Sequence, residues 1–167
     1  DKIAYLTKEN EKDNLITMLN EMIGFCRDMG QFEKGDEYCN HLFALVSEVP
    51  YKGSIPYATT LLNIANFKRA KKDYALSEKL YLEVLPIYNT LLQKTDFRYA
   101  SYYNNLSLLY QETKQYKKAI ECLENALKIA KTYAEAKIEV ATTYTNMATC
   151  YLKLSDADNA EDCLKKA

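Results

Sequence analysis

The sequence predicts an all-α fold, a right-handed solenoid of antiparallel helix hairpins. Three observations lead there: a scarcity of chain breakers, a repeat of about 42 residues, and helical spacing of apolar residues within each repeat. Among 167 residues there are only 4 Gly and 3 Pro, too few to punctuate a β-sandwich, a collagen or a disordered linker. The length suits one domain, residues 1–167, and a domain of this size hides about 70% of the surface its unfolded chain exposes, so no staple is needed. Self-comparison gives the repeat. Tyr57-Ala58-Thr59-Thr60, Tyr99-Ala100-Ser101-Tyr102 and Val140-Ala141-Thr142-Thr143 align at offsets of 42 and 41. Asn63, Asn105 and Asn146 then fall in register, followed by Ile64, Leu106 and Met147 and by the small residues Ala65, Ser107 and Ala148. Further on, Asp73, Gln115 and Asp156 mark a turn, and Ser77, Ala119 and Ala160 share a second small slot. Four copies result: 11–50 (degenerate), 54–95, 97–134 and 138–167 (truncated).

In the first copy, Met22 takes the apolar slot of one helix and Ile23 the small slot beside it, Gly30 stands at the turn, and Phe32 and Gly35 open the second. Pro50, Gly53 and Pro56 then mark the boundary. The second copy keeps Leu61, Ile64 and Ala65, turns at Asp73, and continues with Tyr74, Ser77 and Tyr81. Pro86 lies inside its apolar run from Leu80 to Leu92, so a kink near Leu82 to Pro86, or a break, is expected. Asp96 is suited to cap the next helix, which holds Arg98 to Tyr110. In the third copy Tyr103, Leu106, Ser107 and Tyr110 share one helical face, Lys114-Gln115 makes the turn, and Ala119, Leu123 and Ala126 stripe the second helix. Lys131 to Glu139 contains neither Gly nor Pro, so only the repeat offset places the fourth copy's start. Small residues at matching slots let paired backbones approach to about 8 Å. Stacked hairpins bury faces that no single hairpin can bury.

The third copy, YNNLSLLYQETKQYKKAIECLENAL, resembles the tetratricopeptide repeat in its order of aromatic, Leu, small, Tyr, turn, Tyr, Ala, Leu and Ala. The fourth, YTNMATCYLKLSDADNAEDCLKKA, is similar; the second puts Lys68 where the motif has Tyr, and the first has Ile23 and Gly35 in the small slots. The resemblance spans roughly residues 15 to 167. A 42-residue period exceeds the usual 34 and is similar to the longer repeats of kinesin light chain and related bacterial proteins, the surplus being expected in each second helix. The resemblance implies a concave groove, lined by first helices, that holds extended peptides.

Composition excludes several partners. Lys and Arg total 22 against 23 Asp and Glu, which leaves no chain-wide pull toward nucleic acid or an anionic membrane. The one basic cluster, Lys68, Arg69, Lys71 and Lys72, reads as the solvated C-terminus of a helix. No run reaches the roughly 18 apolar residues of a membrane span. Cys26, Cys39, Cys122, Cys150 and Cys163 are odd in number, lack CxxC spacing and sit in apolar patterns, as small hydrophobes of a reducing cytosol do. They suggest a cytoplasmic protein without metal or other cofactor. His41 has no matching Ser, Cys or Asp motif, and no phosphate loop, HExxH or GxSxG occurs, so no enzyme is expected. The start at Asp1 and the stop at Ala167 in mid-pattern suggest a piece of a longer protein.

The expected function is a scaffold that binds a protein or extended peptide. First helices of neighbouring hairpins lie about 8 to 10 Å apart and an extended chain advances about 3.3 Å per residue. Along the ladder of Asn63, Asn105 and Asn146, one Asn would therefore meet every third ligand residue, and an Asn amide both donates to and accepts from a backbone. Asn20, Thr59, Asn66, Arg69, Ser101, Asn104, Gln111, Thr142 and Thr145 are expected on the same face. The other reading has these Asn residues bonding helix to helix inside the scaffold. Chaperone-binding relatives grip a terminal carboxylate with several Lys and Arg; here Arg69 stands alone, which favours a neutral, polar or mildly acidic peptide. Self-assembly through solenoid ends, or the sensing half of a regulator similar to peptide-pheromone receptors, are the alternatives. Most of the 15 Tyr fall on repeat slots, leaving Tyr88, Tyr102 and Tyr133 for a partner.

Overall fold

The computed structural model describes residues 11–48 and 50–167. Among them are eight helices and no strand: α1 (Lys12–Asp28), α2 (Phe32–Val46), α3 (Ile55–Ala70), α4 (Tyr74–Leu91), α5 (Arg98–Glu112), α6 (Tyr116–Ala130), α7 (Lys137–Lys153) and α8 (Ala157–Lys166). They pack as two units, α1 to α4 and α5 to α8.

All four hairpins turn in the same way. Gly30, Lys72, Lys114 and Ser155 adopt left-handed φ values of 66°, 68°, 61° and 60°. Each turn carries the same pair of bonds. Lys72 N–H donates to the Arg69 carbonyl and Asp73 N–H to that of Lys68; Lys114 donates to Gln111 and Gln115 to Tyr110; Gly30 and Ser155 with their successors match them. This satisfies two carbonyls that a helix end leaves orphaned, and it reverses the chain in a few residues. The second helix then starts at once. Asp73 and Asp156 accept N–H groups from Leu76 and Asn159 at 3.3 and 3.2 Å, offsetting orphan donors there.

In the first unit the apolar stripe of α1 (Leu15, Leu19, Ile23, Cys26) meets that of α2 (Cys39, Leu42, Val46). Both pack on α3, which therefore buries more than one face, including Tyr57, Ala58, Leu61, Ile64, Ala65 and Phe67. Ser54 caps α3 by accepting the Tyr57 N–H, and Pro56 occupies the first turn, where a missing N–H costs nothing. Helix α4 closes the unit with Leu80, Tyr81, Val84 and Tyr88. It runs unbroken through Pro86. The carbonyl deprived of a donor belongs to Leu82, an exposed residue on the side water can reach.

In the second unit α5 pairs with α6, α6 with α7, and α7 with α8. Asp96 accepts the Arg98 N–H at 2.9 Å and binds the Arg98 guanidinium at 2.8 and 2.7 Å, so it satisfies one orphan donor at the start of α5; the N-cap position expected for it falls instead on Phe97, whose side chain makes no cap hydrogen bond. The segment 131–136 links α6 to α7 through tight turns, and Tyr133 ties it back by donating to the Thr95 carbonyl at 2.7 Å.

Two expectations need correction. The long period does not lengthen the second helices alone: α1 has 17 residues against 15 in α2, α5 and α6 have 15 each, and only α4 with 18 exceeds its partner α3 with 16. Antiparallel partners share the added length because an unmatched turn would leave its apolar face uncovered. Tyr88 and Tyr102, expected to be open to a partner, are 1% and 0% exposed and belong to the core. Tyr133 is half-buried, its hydroxyl bound to Thr95 and its ring set against Phe97.

Candidate functional site

Within each unit the first helices are joined by side-chain hydrogen bonds. Asn63 Nδ2 on α3 donates to Asn20 Oδ1 on α1 at 2.7 Å, and Asn20 Nδ2 donates to the Ile16 carbonyl at 3.0 Å and to Thr60 Oγ1 at 3.4 Å. In the other unit Thr143 Oγ1 on α7 donates to Asn104 Oδ1 on α5 at 3.1 Å. These are groups that a packed scaffold must satisfy. Asn66 goes further inward: it is 7% exposed and accepts the Tyr81 hydroxyl at 2.5 Å, so its expected place on an open face is corrected to the core between α3 and α4.

The remaining positions divide by exposure. Asn105 is half-buried and donates to the Ser101 carbonyl one turn back at 2.9 Å, which leaves its Oδ1 toward the surface. Asn146 is half-buried with no hydrogen-bond partner among the described residues. Thr59, Ser101, Thr142 and Thr145 are exposed. Arg69 and Gln111 are half-buried in the last turns of α3 and α5. The basic cluster is partly a clasp: Lys68 Nζ lies 2.5 Å from Asp36 Oδ1 and Lys71 bonds the other oxygen, tying α3 to α2. Burial alone would raise the Asp36 pKa, but the hydrogen bonds from Lys68 and Lys71 outweigh it and hold the carboxyl below its ordinary range.

Nucleophiles are poorly placed. All five cysteines are buried and reduced. Burial pushes the Cys39 and Cys122 thiols up to about 12 and that of Cys150 to about 11, far from the thiolate that reacts. His41 is exposed on α2.

A second feature lies at the foot of α7. Phe97, Tyr133, Glu135, Ala136 and Glu139 line a cleft of about 290 Å³. The Phe97 and Tyr133 rings meet edge to face, 5.1 Å apart at 74°. The sequence reading missed it because its parts come from three segments. The one signal available was an aromatic and two acids in a boundary stretch free of Gly and Pro.

Successive antiparallel helix hairpins, joined by polar side chains along their first helices, define the class of α-solenoid repeat proteins, whose fold is typical of non-catalytic protein-interaction scaffolds. The chain belongs to the tetratricopeptide repeat family, whose model matches residues 56–132 and 98–167. Lipopolysaccharide assembly protein B of Escherichia coli is 32% identical over 113 residues, 68% of this chain but only 27% of that protein. BtubC (BKLC) from P. vanneervenii has the same fold, with a TM-score of 0.83 and 24% identity over 93% of this chain and 62% of its own. Nearly identical tetratricopeptide-like repeats of a kinesin light chain from Podosopora anserina align at a TM-score of 0.81, with 17% identity over 90% and 72%. No described helix is long and apolar enough to cross a membrane.

Proposed function

We propose that this chain is a protein-binding module that holds an extended peptide against the polar stripe of its first helices. In the second unit the stripe consists of Ser101 and Asn105 on α5 and Thr142, Thr145 and Asn146 on α7. The observation that carries the reading is the half-buried Asn146, which has no hydrogen-bond partner among the described residues, together with an Asn105 whose carbonyl oxygen is uncommitted. A side-chain amide offers a peptide backbone both a donor and an acceptor without demanding a particular side chain. Hydroxyls around it adapt to small shifts in register. In the first unit Thr59 presents a similar surface, while Asn63 is already bridged to Asn20.

The test uses the full chain as bait, with captured proteins identified by mass spectrometry and then titrated in purified form. Asn105→Ala with Asn146→Ala removes amides that hold no helix to another, so the melting temperature stays put. Two lost backbone hydrogen bonds at about 1 kcal/mol each predict roughly tenfold or greater weakening of partner affinity. Unchanged affinity in that variant would overturn the assignment of the stripe.

A further inference from the structure

The cleft at the foot of α7 has a chemistry that the polar stripe lacks. Phe97 and Tyr133 make an aromatic corner, and Glu135 and Glu139 stand at its rim. Both carboxylates are exposed, and neither is paired with a cation among the described residues. The lysine nearest in sequence, Lys137, lines an adjoining pocket that shares Tyr133 and Ala136 with the cleft; of the two other lysines there, Lys131 donates to the Tyr144 hydroxyl and Lys166 pairs with Asp162. Nearby Arg98 is held in a bidentate pair by Asp96. At about 290 Å³ the space sits at the lower end of ligand pockets, which suits one side chain rather than a cofactor.

We infer that this cleft takes a single basic side chain, lysine or arginine, from the bound peptide. The aliphatic stem of such a residue covers apolar ring surface while its head remains among polar groups. Aromatic faces attract a cation within about 6 Å of the ring centre, and two acids at the rim add attraction of the same sign. An anionic side chain meets repulsion from both, and a neutral one leaves the carboxylates unanswered. The corner is pre-formed, because the Tyr133 hydroxyl is anchored on the Thr95 carbonyl and its ring on Phe97. Glu139, Thr142 and Asn146 follow one another at three- and four-residue spacing on α7, so the cleft continues the stripe at its N-terminal end. The inference rests on the stripe reading and adds charge to it: the favoured ligand is polar with a basic residue at one end, where the sequence alone favoured a neutral or mildly acidic peptide.

The test is a ¹H–¹⁵N NMR titration of the 167-residue chain with Ac-Gly-Arg-Gly-NH2 and Ac-Gly-Lys-Gly-NH2, with Ac-Gly-Gln-Gly-NH2 and guanidinium chloride as controls. The basic peptides are expected to shift the amides of Phe97 and residues 133–139 in a saturable way, about tenfold more tightly than the Gln peptide. Raising the salt from about 0.05 to about 0.5 M should weaken them, since exposed charges are screened. Glu135→Gln with Glu139→Gln, both at exposed positions, should cost at least about fivefold. Equal shifts from the Gln peptide, undiminished binding to the double variant, or guanidinium binding as tightly as the Arg peptide would each overturn the proposal. If the Arg peptide binds while partner capture ignores Asn105 and Asn146, the stripe reading fails and the cleft stands. If capture depends on those Asn residues but not on Glu135 and Glu139, the cleft fails and the stripe stands.

Discussion

Gly35 stands on α2 at the slot where other repeats carry Ser77, Ala119 and Ala160, and the Phe67 ring occupies the space a methyl group would need. A Cβ built there lies 2.2 Å from Phe67 Cε2 and 2.4 Å from Cζ, and that ring is fully buried against Phe32. Gly35→Ala should gain up to about 1 kcal/mol of helix propensity but lose about 1–3 kcal/mol to overpacking. The net expectation is destabilisation, read as a lower urea midpoint. Pairing it with Phe67→Leu should give a total smaller than the sum of the two single effects, because the two groups compete for one volume. Additive effects would show that the ring is not the cause. What looked in the sequence like decay of the motif is thus a local exchange, one small residue traded for one large ring on the facing helix.

At the scale of the element, the repeated turn is the most regular feature of the chain. Three of its four left-handed positions carry side chains, Lys72, Lys114 and Ser155, where L-residues are strained. Lys114→Gly and Lys72→Gly should each stabilise by about 0.5–1 kcal/mol, and Gly30→Ala, with open space around it, should cost a similar amount. Thermal melts of the three variants check the set, and absence of gain at Lys114 would remove strain as the explanation. The turns also show what was legible in the sequence. Asp73, Gln115 and Asp156 located them by register alone, and the Asn residues were recognised as a repeated polar position. Which way each amide points was not legible, because nothing along their own helices marks Asn66 for the Tyr81 hydroxyl or Asn105 for the Ser101 carbonyl. The same limit hid the burial of Tyr88 and Tyr102. A one-helix pattern says which face a residue occupies, whereas its cover comes from an element tens of residues away.

Over the whole chain, acid sensitivity should concentrate where helices are tied by charge. The folded-state pKa of Asp36 lies below its unfolded value, so the stability it contributes is fully present above the unfolded pKa of about 3.9 and is lost as pH falls through the folded one. Asp36→Asn should therefore lower the urea midpoint of wild type at pH 7, and the gap between the two proteins should close as the pH falls below about 3.9 and through the folded value. A gap that persisted at low pH would mean that Asp36 acts by packing rather than by charge. The buried thiols have a different use. Cys26, Cys39, Cys122, Cys150 and Cys163 lie on α1, α2, α6, α7 and α8, one to a helix, with no Trp in the chain to confuse an optical signal. An alkylating reagent can reach each sulfur only while its helix is open. The chain therefore carries five internal clocks, and the order in which they are marked under native conditions reads out which helices let go first.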